Sequence, residues 1–125
     1  MSSATPVAHD PNCIFCKIVA GQIPSKKVYE DEDLYGFHDI APWAPVHFLL
    51  VPKKHIASMA QLRPEDAGLM GKVMTLAPQL ALENGCNPYP DGGFRVVVNT
   101  GAEGGQEVHH LHVHVMGGPR PWLKG

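Results

Sequence analysis

The sequence predicts an α+β domain: an antiparallel sheet of short strands with one long helix between them. Short apolar runs bounded by turn residues occur before residue 55 and again after residue 93. A single stretch with helical periodicity separates the two groups, and the links throughout are short, which suits an antiparallel sheet. At 125 residues the chain reads as one domain, residues 12–125, behind a polar tail over residues 1–11.

The elements follow in order. Cys13 to Ala20 mixes apolar and polar residues and stops at Gly21, which suits one or two helical turns. Val28–Glu30 and Leu34–His38 read as two strands joined by the acidic turn Asp31–Asp33, with Gly36 weakening the second. Two prolines make Ala41–Pro45 a loop. Val46–Val51 is an apolar run closed by Pro52, hence a buried strand.

The long helix opens at Pro64, carries Glu65 and Asp66 at its positive end and closes at Gly85. Leu69, Val73, Leu76 and Leu80 form its apolar stripe, and Pro78 predicts a kink or an early end. After a turn cluster at Pro88–Gly93 come a buried strand at Phe94–Val98, a glycine-rich loop at Asn99–Gln106 and a last strand at Val108–Met116.

Composition narrows the function classes. A formal net charge of -2 without a run of Lys or Arg argues against a nucleic-acid surface. No window approaches the roughly 18 to 20 apolar residues of a membrane span. Met1–Pro11 lacks the apolar core of an export signal. Three cysteines, an odd number, argue against a disulfide framework and for a reducing, cytoplasmic setting. There, the Cys13-Ile14-Phe15-Cys16 spacing points to metal or redox chemistry.

The densest chemistry lies near the end. Four of the eight histidines fall within His109–His114. On a strand, His110, His112 and His114 share one face about 6 to 7 Å apart, while Leu111, Val113 and Val115 supply the core face. Such imidazoles can act as base, acid or nucleophile. A solvated histidine-rich face and metal binding by all three are the alternatives, although ligands on one flat face rarely converge on a single ion. Gly101, Gly104 and Gly105 just before the strand let backbone N–H groups approach an anion, and Asn99 adds a side-chain amide.

The run Gly104-Gly105-Gln106-Glu107-Val108-His109-His110-Leu111-His112-Val113-His114-Val115-Met116-Gly117-Gly118 resembles the His-x-His-x-His signature of the histidine triad (HIT) superfamily, closest to its nucleotide-binding phosphoramidase branch. Phe37-His38-Asp39-Ile40, Pro45-Val46-His47-Phe48 and Pro52-Lys53-Lys54-His55-Ile56 extend the resemblance over most of the chain. It implies a hydrolase of purine nucleoside 5′-phosphoramidates that forms a nucleotidyl-histidine on His112. His114 would contact the phosphoryl oxygens, His110 would orient its neighbours and His47 would relay a proton.

The resemblance also implies a nucleotide pocket. Asp39 would hold the ribose, Phe15, Ile18, Phe37, His38, Ile40 and Leu49 the base, and Asn99, Gly105, Gln106 and Glu107 the phosphate side. Glu107 departs from the small hydroxyl residue many members carry, and the short end Pro119–Gly125 leaves selectivity unspecified.

Some relatives complete a zinc site with residues that here are Cys13, Cys16, His55 and His110, a closed and purely structural set; the alternative is a pair of small buried cysteines. No cofactor is implied for catalysis, and a homodimer built on the helix and last strands is. The rival functions are a dinucleoside polyphosphate hydrolase and a nucleotide- or zinc-binding regulatory protein.

Overall fold

The computed structural model describes residues 9–122, so all but residues 9–11 of the expected tail lie outside it, as do residues 123–125. Its elements are α1 (Ile14–Val19), β1 (Lys27–Glu30), β2 (Leu34–His38), β3 (Val46–Pro52), α2 (Ala67–Glu83), β4 (Phe94–Val97) and β5 (Val113–Gly117), with 3-10 turns at Met59–Gln61, Pro64–Asp66 and Ala102–Gly104. The strands form one sheet in the order β1-β2-β3-β5-β4, every neighbouring pair antiparallel. The α+β class and its antiparallel sheet with one long helix are as expected.

The β1–β2 turn is built by one carboxylate. Asp31 Oδ1 accepts from the N–H groups of Asp33 and Leu34, both at 2.8 Å. Its other oxygen accepts from Tyr29 Oη at 2.7 Å and pairs with Lys72 of α2 at 2.6 Å, which ties the helix to this end of the sheet. Gly36 serves a close approach: a Cβ there would stand 2.9 Å from Leu50 Cδ2 on the neighbouring strand.

The alternation of β3 assigns the two faces. Phe48 and Leu50, with Leu34, Val113 and Val115, pack on Val73, Ala77, Leu80 and Ala81 of α2. Leu69 and Leu76 of the expected stripe flank that core, half-buried. Pro78 does not end the helix, which continues to Glu83. The carbonyl four residues back belongs to Met74, an exposed position where water can pair it. Cys86 is buried in the same core.

On the opposite face, Leu49, Val51, Tyr35 and Phe37 pack beneath Phe15, Cys16 and Ile18 of α1. His47 and Leu49 of β3 lie against β5, where Leu49 opposes His114 in register. This face carries the candidate site.

Two strand expectations are corrected. The sequence predicts a buried strand at Phe94–Val98, but β4 spans Phe94–Val97, lies at one edge of the sheet and is half-exposed, with Phe94 41 % accessible. The last strand covers only Val113–Gly117, rather than Val108–Met116. The segment before it is held instead by the residues after β3, through Leu111 N–H donating to the Ile56 carbonyl at 2.7 Å.

Candidate active site

That shorter strand changes the geometry of the histidines. They do not form one open row of equivalent rings. All three are buried, and each ring has a different neighbour. His110 points at Cys13, Cys16 and His55, with its Nδ1 at 3.3, 3.6 and 3.2 Å from their Sγ, Sγ and Nδ1 atoms. His112 lines a cleft. His114 shares that cleft and meets His47, whose Nε2 lies 3.0 Å from His114 Nδ1.

Fixed backbone groups determine which nitrogen of each neutral ring bears the proton. His112 Nδ1 lies 2.7 Å from the His110 carbonyl, so it donates and Nε2 keeps its lone pair. Trp43 N–H donates to His47 Nδ1 at 3.0 Å, so the His47 proton sits on Nε2 and is donated to His114 Nδ1. The remaining His114 proton is therefore on Nε2. A bare nitrogen on His112 and an N–H on His114 thus stand side by side, the rings edge to face with centroids 4.9 Å apart.

Burial, reinforced by His112 and then His47 beside it, pushes His114 down to about 4, against a smaller opposing pull from Asp39. His47 is lowered by burial too, again opposed by Asp39, whose Oδ2 lies 3.6 Å from His47 Nε2. Both rings are neutral near pH 7.

The cleft of about 420 Å³ is lined by Phe15, Asp39, Ala41, Trp43, Leu49, Asn99, Gly104, Gly105, Glu107, Val108, His112 and His114. Asp39 also borders a wider hollow lined by His38, Ile40 and His47. Of the residues expected around a base, Phe15 and Leu49 form cleft wall. Ile18 and Phe37 lie in the buried layer with Phe15, whose ring meets Phe37 edge-on at 5.4 Å. His38 and Ile40 flank the neighbouring hollow, and Ile40 is fully exposed.

Two loop expectations are revised. The N–H groups of Gly101, Gly104 and Gly105 do not converge as an anion cradle. Gly101 donates to Gln106 Oε1, and Gly104 and Gly105 donate to the carbonyls of Gly101 and Ala102. Gln106 is likewise committed, since its side-chain amide donates to the carbonyls of Ala57 and Val108 at 2.8 and 3.0 Å. It is a buried brace for the loop. The glycines supply conformation, with Gly101 and Gly105 at φ 71° and 80°.

Trp43 is the residue sequence reading missed. Its ring lies within 12° of parallel to His114 at 5.9 Å, and its N–H sets the His47 tautomer. An aromatic residue between Pro42 and Pro45, four positions before a histidine, was the available signal.

The four expected zinc ligands do converge. Cys13, Cys16, His55 and His110 present ligand atoms all within 4.8 Å of one another. His110 Nε2 donates to the Pro52 carbonyl at 2.8 Å, leaving Nδ1 bare toward the two sulfurs. A metal-ligating histidine commonly has this arrangement, its second N–H anchored on backbone. Burial holds His110 down at about 4, so the ring is neutral, as a ligand must be.

The profile of the HIT domain matches residues 20–120. The chain belongs to the HIT family. It is 50 % identical over 108 residues to Protein HitA of Neisseria gonorrhoeae, covering 86 % of this chain and 97 % of that one. A histidine triad protein of Clostridium difficile superposes with a TM-score of 0.83 at 42 % identity, covering 90 % and 96 % of the two chains. A HIT family hydrolase of Legionella pneumophila gives 0.81 at 42 % identity, covering 87 % and 95 %. A zinc-bound histidine triad family protein of Mycobacterium smegmatis gives 0.71 at 34 % identity, covering 85 % and 74 %.

Proposed function

We propose that this HIT protein hydrolyses purine nucleoside 5′-phosphoramidates through a covalent nucleotidyl group on His112. The observation that carries the reading is the His112 ring: buried, lining the cleft, with Nδ1 tied to a carbonyl at 2.7 Å and Nε2 left as the nucleophile. The likeness to the Legionella pneumophila hydrolase supports the reaction class. The nucleoside lies against Phe15 and Leu49, and Asp39 accepts from the ribose hydroxyls.

In the first half-reaction His112 Nε2 bonds to phosphorus and the P–N bond breaks. The amine leaves with the bonding electron pair and takes the His114 Nε2 proton, while His47 passes its Nε2 proton to His114 Nδ1 and is refilled from solvent on the Asp39 side, so that neither ring becomes an anion. In the second half water attacks the phosphorus and the bond to His112 Nε2 breaks, its electron pair returning to the ring. The proton of the water goes to His114 Nε2, the relay runs back through His47 to solvent, and the nucleoside monophosphate is released. The Asn99 amide, and His114 Nε2–H until it gives up its proton, offset charge developing on the phosphoryl oxygens.

His112→Ala should abolish turnover while still binding adenosine monophosphate. Base quench of wild-type protein during turnover should trap a nucleotidyl group on His112, since its P–N bond is labile only when protonated. Near-normal hydrolysis by His112→Ala would sink the covalent mechanism.

Residues 12–125 act as one domain in this reading, and three free thiols fit a reducing cytoplasm. Cys13, Cys16, His55 and His110 would hold a structural zinc that fixes α1 against the histidine segment and takes no part in the reaction. Two chains would pair as a homodimer through α2 and the last strands, β4 and β5; among the described residues β4 has β5 as its single strand neighbour.

A further inference from the structure

The cleft is unusual for a phosphate site in the charges on its walls. It is lined by the carboxylates of Asp39 and Glu107, and among the described residues no Lys or Arg lines it. The two histidines nearest Asp39, His47 and His114, carry no charge near neutral pH. Among the described residues, a ligand bringing several negative charges therefore meets two carboxylates and no lysine or arginine there, whereas one bringing a positive charge meets attraction.

The two carboxylates are not equivalent. Asp39 is engaged locally: Oδ1 accepts from Ala41 N–H at 2.8 Å, and Oδ2 faces His47 at 3.6 Å. Glu107 stands exposed at the cleft. Trp43 presents its indole to the same cleft, nearly parallel to His114. A carboxylate and an aromatic face around one opening form a recognition pair for an alkylammonium group, through ion pairing and cation–π attraction.

Building on the phosphoramidase reading, we propose that Glu107 and Trp43 select substrates whose leaving amine carries a second, positively charged nitrogen. The preferred class is a nucleoside phosphoramidate of a diamine, in which the terminal ammonium compensates the phosphoryl charge. The same walls disfavour dinucleoside polyphosphates.

Three adenosine 5′-phosphoramidates of matched chain length test this, made from 1,4-diaminobutane, butylamine and 4-aminobutyrate. For wild type, kcat/KM should fall about tenfold at each step from cationic to neutral to anionic tail, the size expected of one unit charge several ångströms away in a partly solvated cleft. The spread should shrink in high salt.

Glu107→Gln should compress the cation-to-anion ratio about tenfold and Glu107→Lys should invert the order. Trp43→Ala should lower the preference for the cation, and Trp43→Phe should restore it. Calorimetric binding of the three compounds to His112→Ala should follow the same order, so selectivity is read even without turnover. Equal kcat/KM and equal affinity for the three tails overturn the proposal, as does a Glu107→Gln variant that slows all three alike, which marks Glu107 as a proton-transfer group. Absence of turnover with all three, alongside charge-ordered binding, would defeat the phosphoramidase reading and leave the charge selection standing.

Discussion

His47→Ala tests whether the cleft works through its buried pair. His47 is 3 % exposed and holds three links at once: Trp43 N–H at 3.0 Å, His114 Nδ1 at 3.0 Å and Asp39 at 3.6 Å. Removing the ring leaves His114 Nδ1 without its donor, frees the His114 ring to turn and lets water into the gap. His47 holds a charge-stabilising donor and is not that donor itself. An orienting partner of this kind is worth about 10- to 100-fold, against about 100- to 1,000-fold for the donor. We expect kcat to fall in that lower range with KM within about threefold, and His114→Ala to cost the larger factor. Stability should drop by about 1 to 3 kcal/mol, because a buried acceptor and the Trp43 N–H lose their partner. His47→Gln, whose amide can donate to His114, should recover part of the rate. Single-turnover kinetics with melting curves separate the two effects. A kcat within twofold of wild type in a folded His47→Ala protein would refute the relay.

Other consequences can be checked directly. His114 is held at about 4 in the folded chain, whereas an unfolded histidine titrates near 6.5. Between those values the unfolded chain takes up a proton that the folded ring refuses, so stability should fall as pH drops from about 6.5 to about 4 and this ring should add no slope just above. The ring contributes up to about 3.5 kcal/mol to that loss, and denaturant midpoints across the window measure it. Metal analysis of untagged protein should approach one zinc per chain, with Cys13→Ser lowering both zinc content and melting temperature. Metal-free protein of unchanged stability would return Cys13 and Cys16 to the role of small buried residues. Light scattering should give a dimer mass at micromolar concentration, and a monomer mass would reject pairing through α2 and the last strands.

Periodicity made the helix-facing half of the molecule legible. Val73 and Leu80 fall on the predicted stripe, and Phe48, Leu50, Val113 and Val115 alternate out of β3 and β5 to meet them. Pro78 brings no early end because propensity is blind to which side a helix exposes, and this proline falls on the solvent side. The glycine-rich loop misled differently. Glycine content shows that unusual dihedrals are permitted, but not where the freed N–H groups go, and here they close the loop on itself through Gln106. Trp43 was only half legible: its ring stands out between two prolines, but the rest of its contribution is a backbone N–H, which every non-proline residue carries.

The histidines show why strand alternation located the site but not its internal wiring. A strand from residue 108 onward would hold His110, His112 and His114 in one row, each ring pointing the same way. Ending the ladder at Val113 releases the preceding residues from that rule. The His110 ring can then swing to the two cysteines while its carbonyl, free of a strand partner, accepts from His112 Nδ1 at 2.7 Å. Only His114 remains on the ladder, and its register opposite Leu49 on β3 brings it to His47. One short motif thereby serves two sites. Phe15 spans them, set between Cys13 and Cys16 in sequence and edge-on to both His110 at 6.0 Å and His112 at 5.1 Å. Whatever holds the cysteine cluster together therefore also holds the wall against which the nucleophile rests.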